Sequence, residues 1–357
     1  MLCISDNAQE HTKNSLQRRM KKKVEARDYA LIDLHLHLDG SLSLDSVREL
    51  ADMQGIELPK SDEELISRLQ VDTNCRDLND YLEKFDFPLK LLQTKGTIRT
   101  SVYNLAEELK EQGLLYAEIR FAPQLHTQSG LSQAEIVDAA IAGLKKSDFH
   151  ANLILCCMRG DSNHEQNLET VCVARDYLGQ GVCAIDIAGA EALYPTANFE
   201  DLFALARELG IPYTIHAGEA DGPQSVYKAI EFGTDRIGHG VRSVEDEQLV
   251  KKLAAEGIPL ELCPTSNLQT NIFESIDKFP VRKLMDAGVK ITVNTDNMTV
   301  SGVTLQSEFQ KLMDTFSLTN DELKTFVRNS ADVSFADHGT KEWIYGELDR
   351  RFSEWPF

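Results

Sequence analysis

The residues able to do chemistry in this chain sit where short apolar runs stop. His35 and His37 close the first such run, two positions apart. On a β-strand that spacing sends both side chains to one face, where they can reach a single point. His216 ends another run and is followed by Ala217, Gly218 and Glu219. His239 stands between Gly238 and Gly240, and Asp296 between Thr295 and Asn297, each at the end of a further run. Neutral imidazoles and a carboxylate converging on one place suit zinc, and also iron or cobalt. With His35, His37, His216 and Asp296 as ligands, a divalent metal would acidify a bound water toward neutral pH and so supply a nucleophile. His239 is placed to take the water proton or to hold the hydroxide by charge. Glu219 is close to the metal without being needed as a ligand. A carboxyl there can donate a proton, with its pKa tuned by burial. The other histidines, His11, His126, His150, His164 and His338, are read as surface or supporting residues. His164-Glu165 lacks the second His of a zinc-binding H-E-x-x-H helix.

Such residues converge only if the elements that carry them do. From residue 29 onward short apolar runs alternate with helical stretches. The predicted strands are Ala30–His35, Leu115–Ala122, Leu153–Met158, Val182–Ala188, Pro212–His216, Asp235–His239, Pro259–Leu262 and Lys290–Asn294. Several are apolar on successive residues, as expected for strands covered on both faces. Between them, Ser132 with Glu135 reads as a capping box, and Gly210, Gly233, Gly257 and Gly288 each follow a helical stretch. Helix, glycine, strand, repeated, is the grammar of a parallel sheet, and eight units of it favour a closed (β/α)₈ barrel. A doubly wound sheet is the rival, but no G-x-G-x-x-G or phosphate-binding glycine loop follows any strand. The long interval between His37 and Leu115 is expected to form a helical insertion over the carboxyl ends of the strands, as a lid. The chain is thus read as a basic N-terminal tail over 1–28 and a single barrel domain over 29–357.

Composition excludes several classes. The chain has 357 residues, 42% hydrophobic and 26% charged, as in soluble globular domains. Its formal charge of −20 argues against a nucleic-acid groove. No apolar run approaches the roughly 18 residues of a membrane span. The seven cysteines form no C-x-x-C pair or disulfide framework and read as reduced thiols of a cytoplasmic protein. The expected oligomeric state is monomer or homodimer. The tail lacks the apolar core of a secretory signal.

At these residues the sequence resembles the adenosine deaminase family of the metal-dependent amidohydrolases. The matching stretches are His35-Leu-His-Leu-Asp-Gly40, Ile187-Ala-Gly-Ala-Glu191, His216-Ala-Gly-Glu219, Arg236-Ile-Gly-His-Gly240, Cys263-Pro-Thr-Ser-Asn267 and Asn294-Thr-Asp-Asn297. The resemblance implies one zinc ion per subunit on His35, His37, His216 and Asp296. It implies hydrolytic deamination of adenosine, and of 2′-deoxyadenosine, to the inosine product and ammonia. Glu219 would protonate purine N1. His239 would orient the nucleophile and assist its deprotonation, and Asp296 would accept a hydrogen bond from the attacking water. Among the substrate contacts, Gly189 would give its N–H to N3, Asp39 would meet the ribose 5′-hydroxyl, and His37 would stand beside substrate and metal alike. Ser266 would help fix ligand orientation. Leu78-Asn-Asp-Tyr-Leu-Glu-Lys-Phe85 resembles the helix that closes the family's pocket, with Leu78, Tyr81, Leu82 and Phe85 on one face. The chain departs from a common Asp-Asp pattern at Asp296-Asn297. An Asn carries its own N–H donors, so Asn297 can contact the acceptor N7 directly. The alternative is a deaminase of a related 6-aminopurine, adenine or aminodeoxyfutalosine, on the same fold. The Asp at position 39 favours the nucleoside.

Overall fold

The computed structural model describes residues 30–353. Eight parallel strands run β1 (Ile32–His37), β2 (Tyr116–Phe121), β3 (Ala151–Met158), β4 (Val182–Ala188), β5 (Thr214–Ala217), β6 (Arg236–His239), β7 (Leu260–Leu262) and β8 (Ile291–Val293). They pair in chain order as two four-stranded sheets, β1 to β4 and β5 to β8. Single bridges join the halves at both seams, Ile185 with Tyr213 and Leu36 with Asp296. The ring is a (β/α)₈ barrel. Its strands carry apolar residues on successive positions because one face meets the barrel interior and the other meets helices; β2 and β4 are buried throughout.

The first strand lies two residues later than its apolar run suggests. Both neighbours extend it: Leu36 and His37 pair with Ile119 and Arg120 of β2, and the second seam adds two bonds. His37 N donates to Asp296 O at 2.7 Å, and Asp296 N donates to His35 O at 2.8 Å. These bonds help carry the strand on to His37 and tie the Asp296 backbone between the two histidines.

The insertion after β1 folds as α1 (Leu44–Gln54), α2 (Asp62–Leu69), α3 (Leu78–Leu82), α4 (Asp86–Leu91) and α5 (Lys95–Glu111). The helix expected over 78–85 is shorter. It ends at Leu82 and continues as a 3₁₀ turn, Glu83–Phe85. Pro88 lies in the first turn of α4. Its ring cannot stand over the carbonyl four residues back in a continuous helix, so the chain breaks and restarts. Further on, α6 (Gln133–Leu144) carries the expected Ser132–Glu135 capping box. Helix α7 (Pro223–Glu231) follows β5, α8 (Pro264–Gln269) follows β7 and α9 (Met298–Ser301) follows β8. The chain ends in α10 (Leu305–Phe316), α11 (Asn320–Val333) and α12 (His338–Ser353).

The barrel interior is charged. Arg236 reaches Glu118 and Glu261, each at 2.6 Å, and Arg120 reaches Asp186 at 2.7 Å and Glu261 at 2.9 Å. All five residues are at most 1% exposed. Buried charges are tolerated only when paired and hydrogen-bonded, and here the signs alternate along the barrel axis. The lower end is closed by the segment after α11. Phe335 N donates to Glu118 at 2.5 Å, and the Phe335 ring lies 3.9 Å from the Arg236 guanidinium.

Candidate active site

The upper end of that charged axis holds the imidazoles. His35 and His37 come from β1, His216 from β5 and His239 from the last position of β6. Asp296 and Asn297 follow β8. Gly238 makes room for them. A Cβ there would stand 3.1 Å from the His35 ring and 3.2 Å from the His216 backbone. Gly40 does the same for Asn297, whose Oδ1 would lie 1.8 Å from an added Cβ.

Three ring nitrogens and one carboxylate oxygen meet at a point. His37 Nε2 is 3.3 Å from His216 Nε2, and Asp296 Oδ1 is 3.4 Å from His37 Nε2 and 3.5 Å from His35 Nε2. The far sides of two rings are held by carboxylates. His35 Nδ1 lies 2.8 Å from Glu261, and His216 Nδ1 lies 2.7 Å from Asp186. Arg120 bridges those two carboxylates. With Glu261 on His35 Nδ1 and Asp186 at ion-pair distance from His216 Nδ1, the Nε2 lone pairs are left aimed at one another, and His35 Nε2 has no hydrogen-bond partner. Lone pairs so directed repel unless a cation lies between them. The donor set His35, His37, His216 and Asp296 therefore fits a divalent metal, and its ligand atoms all lie within 4.8 Å of one another.

Beside this set stand Glu219 and His239, with His239 Nε2 3.6 Å from Glu219 Oε1. Asn267 Nδ2 holds the other ring nitrogen of His239 at 3.2 Å. Burial raises the Glu219 pKa well above the ordinary carboxylate range, with the charges of Asp296 and Glu191 adding to it. Burial also pushes His239 well below its usual value. The pair thus joins a carboxyl inclined to keep its proton to a ring inclined to lack one. Both His239 (φ 59°) and Asp296 (φ 63°) adopt left-handed backbone. For non-glycine residues that costs on the order of 1–3 kcal/mol each, and such strain gathers at functional sites.

These groups open into a cavity of about 300 Å³. Asp39, Gly189 and Asn297 line it with His37, His216, Glu219, His239 and Asp296. His35 lies behind them, fully buried. Asp39 is buried with its Oδ1 unpartnered, and burial lifts its pKa to about 6. Leu78, Tyr81, Leu82 and Phe85 form the roof. Arg159 is the cavity's one cation among the described residues, and its guanidinium is committed to Tyr194 O, Thr196 Oγ1 and His216 O.

The adenosine deaminase family model matches residues 30–351. An adenosine deaminase of Haemophilus ducreyi is 46% identical over 335 residues, covering 91% of this chain and 97% of that protein. One of Enterococcus faecalis is 38% identical, covering 91% and 98%. Among solved structures, an adenine deaminase from Arthrobacter aurescens superposes with a TM-score of 0.81 at 28% identity, over 91% of this chain and 99% of that one.

The chain belongs to the adenosine deaminase family.

In this family member the charged residues that brace the imidazoles lie outside the motif stretches or carry no role in them. Arg120, Asp186 and Glu261 each interrupt an otherwise apolar strand run, and that interruption was the available signal. Glu191 and Asn267 stand in motif stretches but had no role assigned. Ser266 is fully buried on α8, yet its hydroxyl makes no hydrogen bond to a ligand residue. His126 is neither on the surface nor beside the metal donors. It is fully buried, with Nδ1 2.9 Å from Leu92 O. Cys75, Cys156, Cys157, Cys172, Cys183 and Cys263 are free thiols. No helix among the described residues is long and apolar enough to cross a membrane.

Proposed function

We propose that this deaminase-family chain hydrolyses adenosine and 2′-deoxyadenosine at C6, giving inosine or 2′-deoxyinosine and ammonia. One observation carries the reading. A carboxyl held toward its neutral form, Glu219, lies 3.6 Å from His239 at the edge of a four-donor metal site. We propose one zinc ion per subunit on His35, His37, His216 and Asp296. When bound, such an ion supplies a nucleophile from water at neutral pH.

The chain's own groups do the rest. Glu219 gives its proton to purine N1, which makes C6 electrophilic. His239 holds the proton of the attacking water at Nε2, and Asp296 accepts a hydrogen bond from that water. The oxygen joins C6, His239 passes the water proton to the amino nitrogen, the C6–N bond breaks as the remaining hydroxyl proton returns to Glu219, and NH3 leaves with C6=O and N1–H in place. Gly189 donates its N–H to N3 and Asn297 its side-chain N–H to N7. Asp39, with an unpartnered buried oxygen, accepts from the 5′-hydroxyl. His37 lines the cavity between metal site and substrate. The roof of Leu78, Tyr81, Leu82 and Phe85 excludes water and strengthens these polar contacts. Arg159 is the one cavity cation among the described residues, and its Nη1 and Nη2 are already bonded to Tyr194 O, Thr196 Oγ1 and His216 O, which favours a nucleoside over a nucleotide.

Residues 29–357 are proposed to act as one domain, with the basic stretch 1–28, outside the described residues, as a tail. A monomer or homodimer in the cytoplasm completes the reading. The test is ammonia release from adenosine, 2′-deoxyadenosine, adenine and AMP, with zinc content measured alongside. Turnover of both nucleosides at one zinc per chain is expected. Turnover of adenine alone would overturn the assignment of Asp39 to the ribose.

A further inference from the structure

Glu191 follows β4 and is fully buried, yet it touches none of the metal donors. Its carboxylate instead collects the amides of one turn. Gly218 N donates to Oε1 at 2.7 Å. Glu219 N, Ala220 N and Asp221 N donate to Oε2 at 3.0, 2.7 and 2.9 Å. Ser225, in the first turn of α7, adds its hydroxyl to Oε1 at 2.5 Å. Four consecutive N–H groups pointing at one anion form a nest of the kind that binds phosphate elsewhere. Here the anion is the chain's own.

A buried carboxylate satisfied by so many donors is not by itself a functional group. What distinguishes Glu191 is which donors it takes. They belong to the turn that carries Glu219, and Glu219 is one of them. The same turn is anchored from its other side, where Arg242 N donates to Gly218 O at 3.0 Å and Arg242 Nη1 to Ala220 O at 2.9 Å. The Glu219 backbone is therefore held on both sides while its side chain faces the cavity.

We infer that Glu191 is a positioning residue that sets the direction of the Glu219 carboxyl toward the atom it protonates. The inference rests on the proposed purine-nucleoside activity. Glu191→Gln tests it. Glutamine keeps the volume and one acceptor oxygen but turns an NH₂ toward amides that need an acceptor. Misplacing a catalytic group by about 1 Å costs on the order of 100-fold. A loss of that size in kcat for adenosine is expected, with KM little changed and zinc content intact.

Two nucleosides separate positioning from general damage. Water adding to purine riboside places its oxygen on C6 and a proton on N1, so tight binding of purine riboside needs the Glu219 carboxyl in register. 1-Deazaadenosine has a C–H in place of N1. The variant should bind purine riboside far more weakly and 1-deazaadenosine about as well as the parent does. Equal losses on the two would show that Glu191 supports the pocket as a whole and would overturn the inference. Glu191→Asp keeps the charge one methylene short, should recover part of kcat, and serves if the Gln variant does not fold; wild-type kcat in either folded variant also overturns it. Hydrogen exchange of the 218–221 amides needs no activity. Those amides should exchange faster in the variant, and unchanged exchange refutes the clamp. If the unaltered protein deaminates neither nucleoside, the activity reading fails and the exchange result alone judges the clamp.

Discussion

The floor and the roof of the cavity are built by different physics. The floor is polar and locked. His35, His216, Asp186, Glu261 and Arg120 are at most 4% exposed, and two imidazoles, two carboxylates and one guanidinium stand in a continuous chain of ion pairs. The roof is apolar and pieced together. Leu78 and Tyr81 pack with Val300, and Leu82 and Phe85 are only partly buried against them. Few polar ties hold it down. Tyr81 OH meets Ser301 Oγ at 2.7 Å, Asn271 Nδ2 donates to Cys75 O at 2.5 Å, and Val71 N donates to Val300 O at 2.9 Å. Where the insertion returns to the barrel, Gln93 Nε2 donates to Leu125 O and His126 meets Leu92 O. A site that must fix several ligand directions needs the rigid construction. A cover that must admit and release a nucleoside is better served by short helices and a handful of separable bonds.

Substitutions in the two regions should therefore fail differently. The largest effect is expected where the floor does chemistry. Glu219→Gln should keep its metal, since Glu219 is outside the donor set, and lose roughly 10²- to 10⁴-fold in turnover. Near-normal kcat in a zinc-replete Glu219→Gln protein would remove Glu219 from the mechanism. Next comes the floor's bracing. Arg120→Met leaves Asp186 and Glu261 each a partner short, at a cost of about 3–5 kcal/mol in denaturant unfolding. Metal affinity should fall by roughly 10- to 100-fold, because the braced imidazoles lose their orientation. Unfolding and metal titration curves that match the parent would show that the charged axis is not what locks the floor.

The joint between roof and barrel gives a pH test. Burial pushes the His126 pKa down to about 4 despite its bond to Leu92 O. The folded protein favours the neutral ring. That contribution is complete above the ordinary value of 6.5 and is lost as pH falls toward about 4. The shift corresponds to at most about 3.4 kcal/mol. Acidification from neutral pH to about 4.5 should therefore lower the Tm of the parent more than that of His126→Gln. Parallel curves would mean that His126 does not titrate in this window. The smallest effect belongs to the roof itself. Tyr81→Phe removes one hydrogen bond, worth about 1 kcal/mol. It should raise KM for adenosine a few-fold while leaving zinc binding untouched. A loss of metal on Tyr81→Phe would join roof and floor into one unit and end the contrast drawn between them.

Much of this was readable before any coordinates. Apolar runs punctuated by helix-ending glycines declare eight parallel strands, because a strand buried on both faces is apolar at most successive positions. Chemistry-bearing residues at the ends of those runs declare the site, because carboxyl ends of barrel strands share one rim. The spacing of Leu78, Tyr81, Leu82 and Phe85 puts them on one face, and the resemblance makes that face the roof. What stayed hidden depends on partners far apart in sequence. Arg120 in β2 means little until Asp186 from β4 and Glu261 from β7 stand against it. His126 reads as a surface or supporting residue until Leu92 O is found beside it. β1 gains its last two residues by pairing with β2 on one side and with Asp296, far along the chain, on the other. Glu191 is one acid among many until four amides close around it. Local pattern determines which face of an element is apolar and where the element stops. Which buried charge meets which partner is decided by barrel closure, since pairing energies depend on distances that no local stretch of sequence encodes.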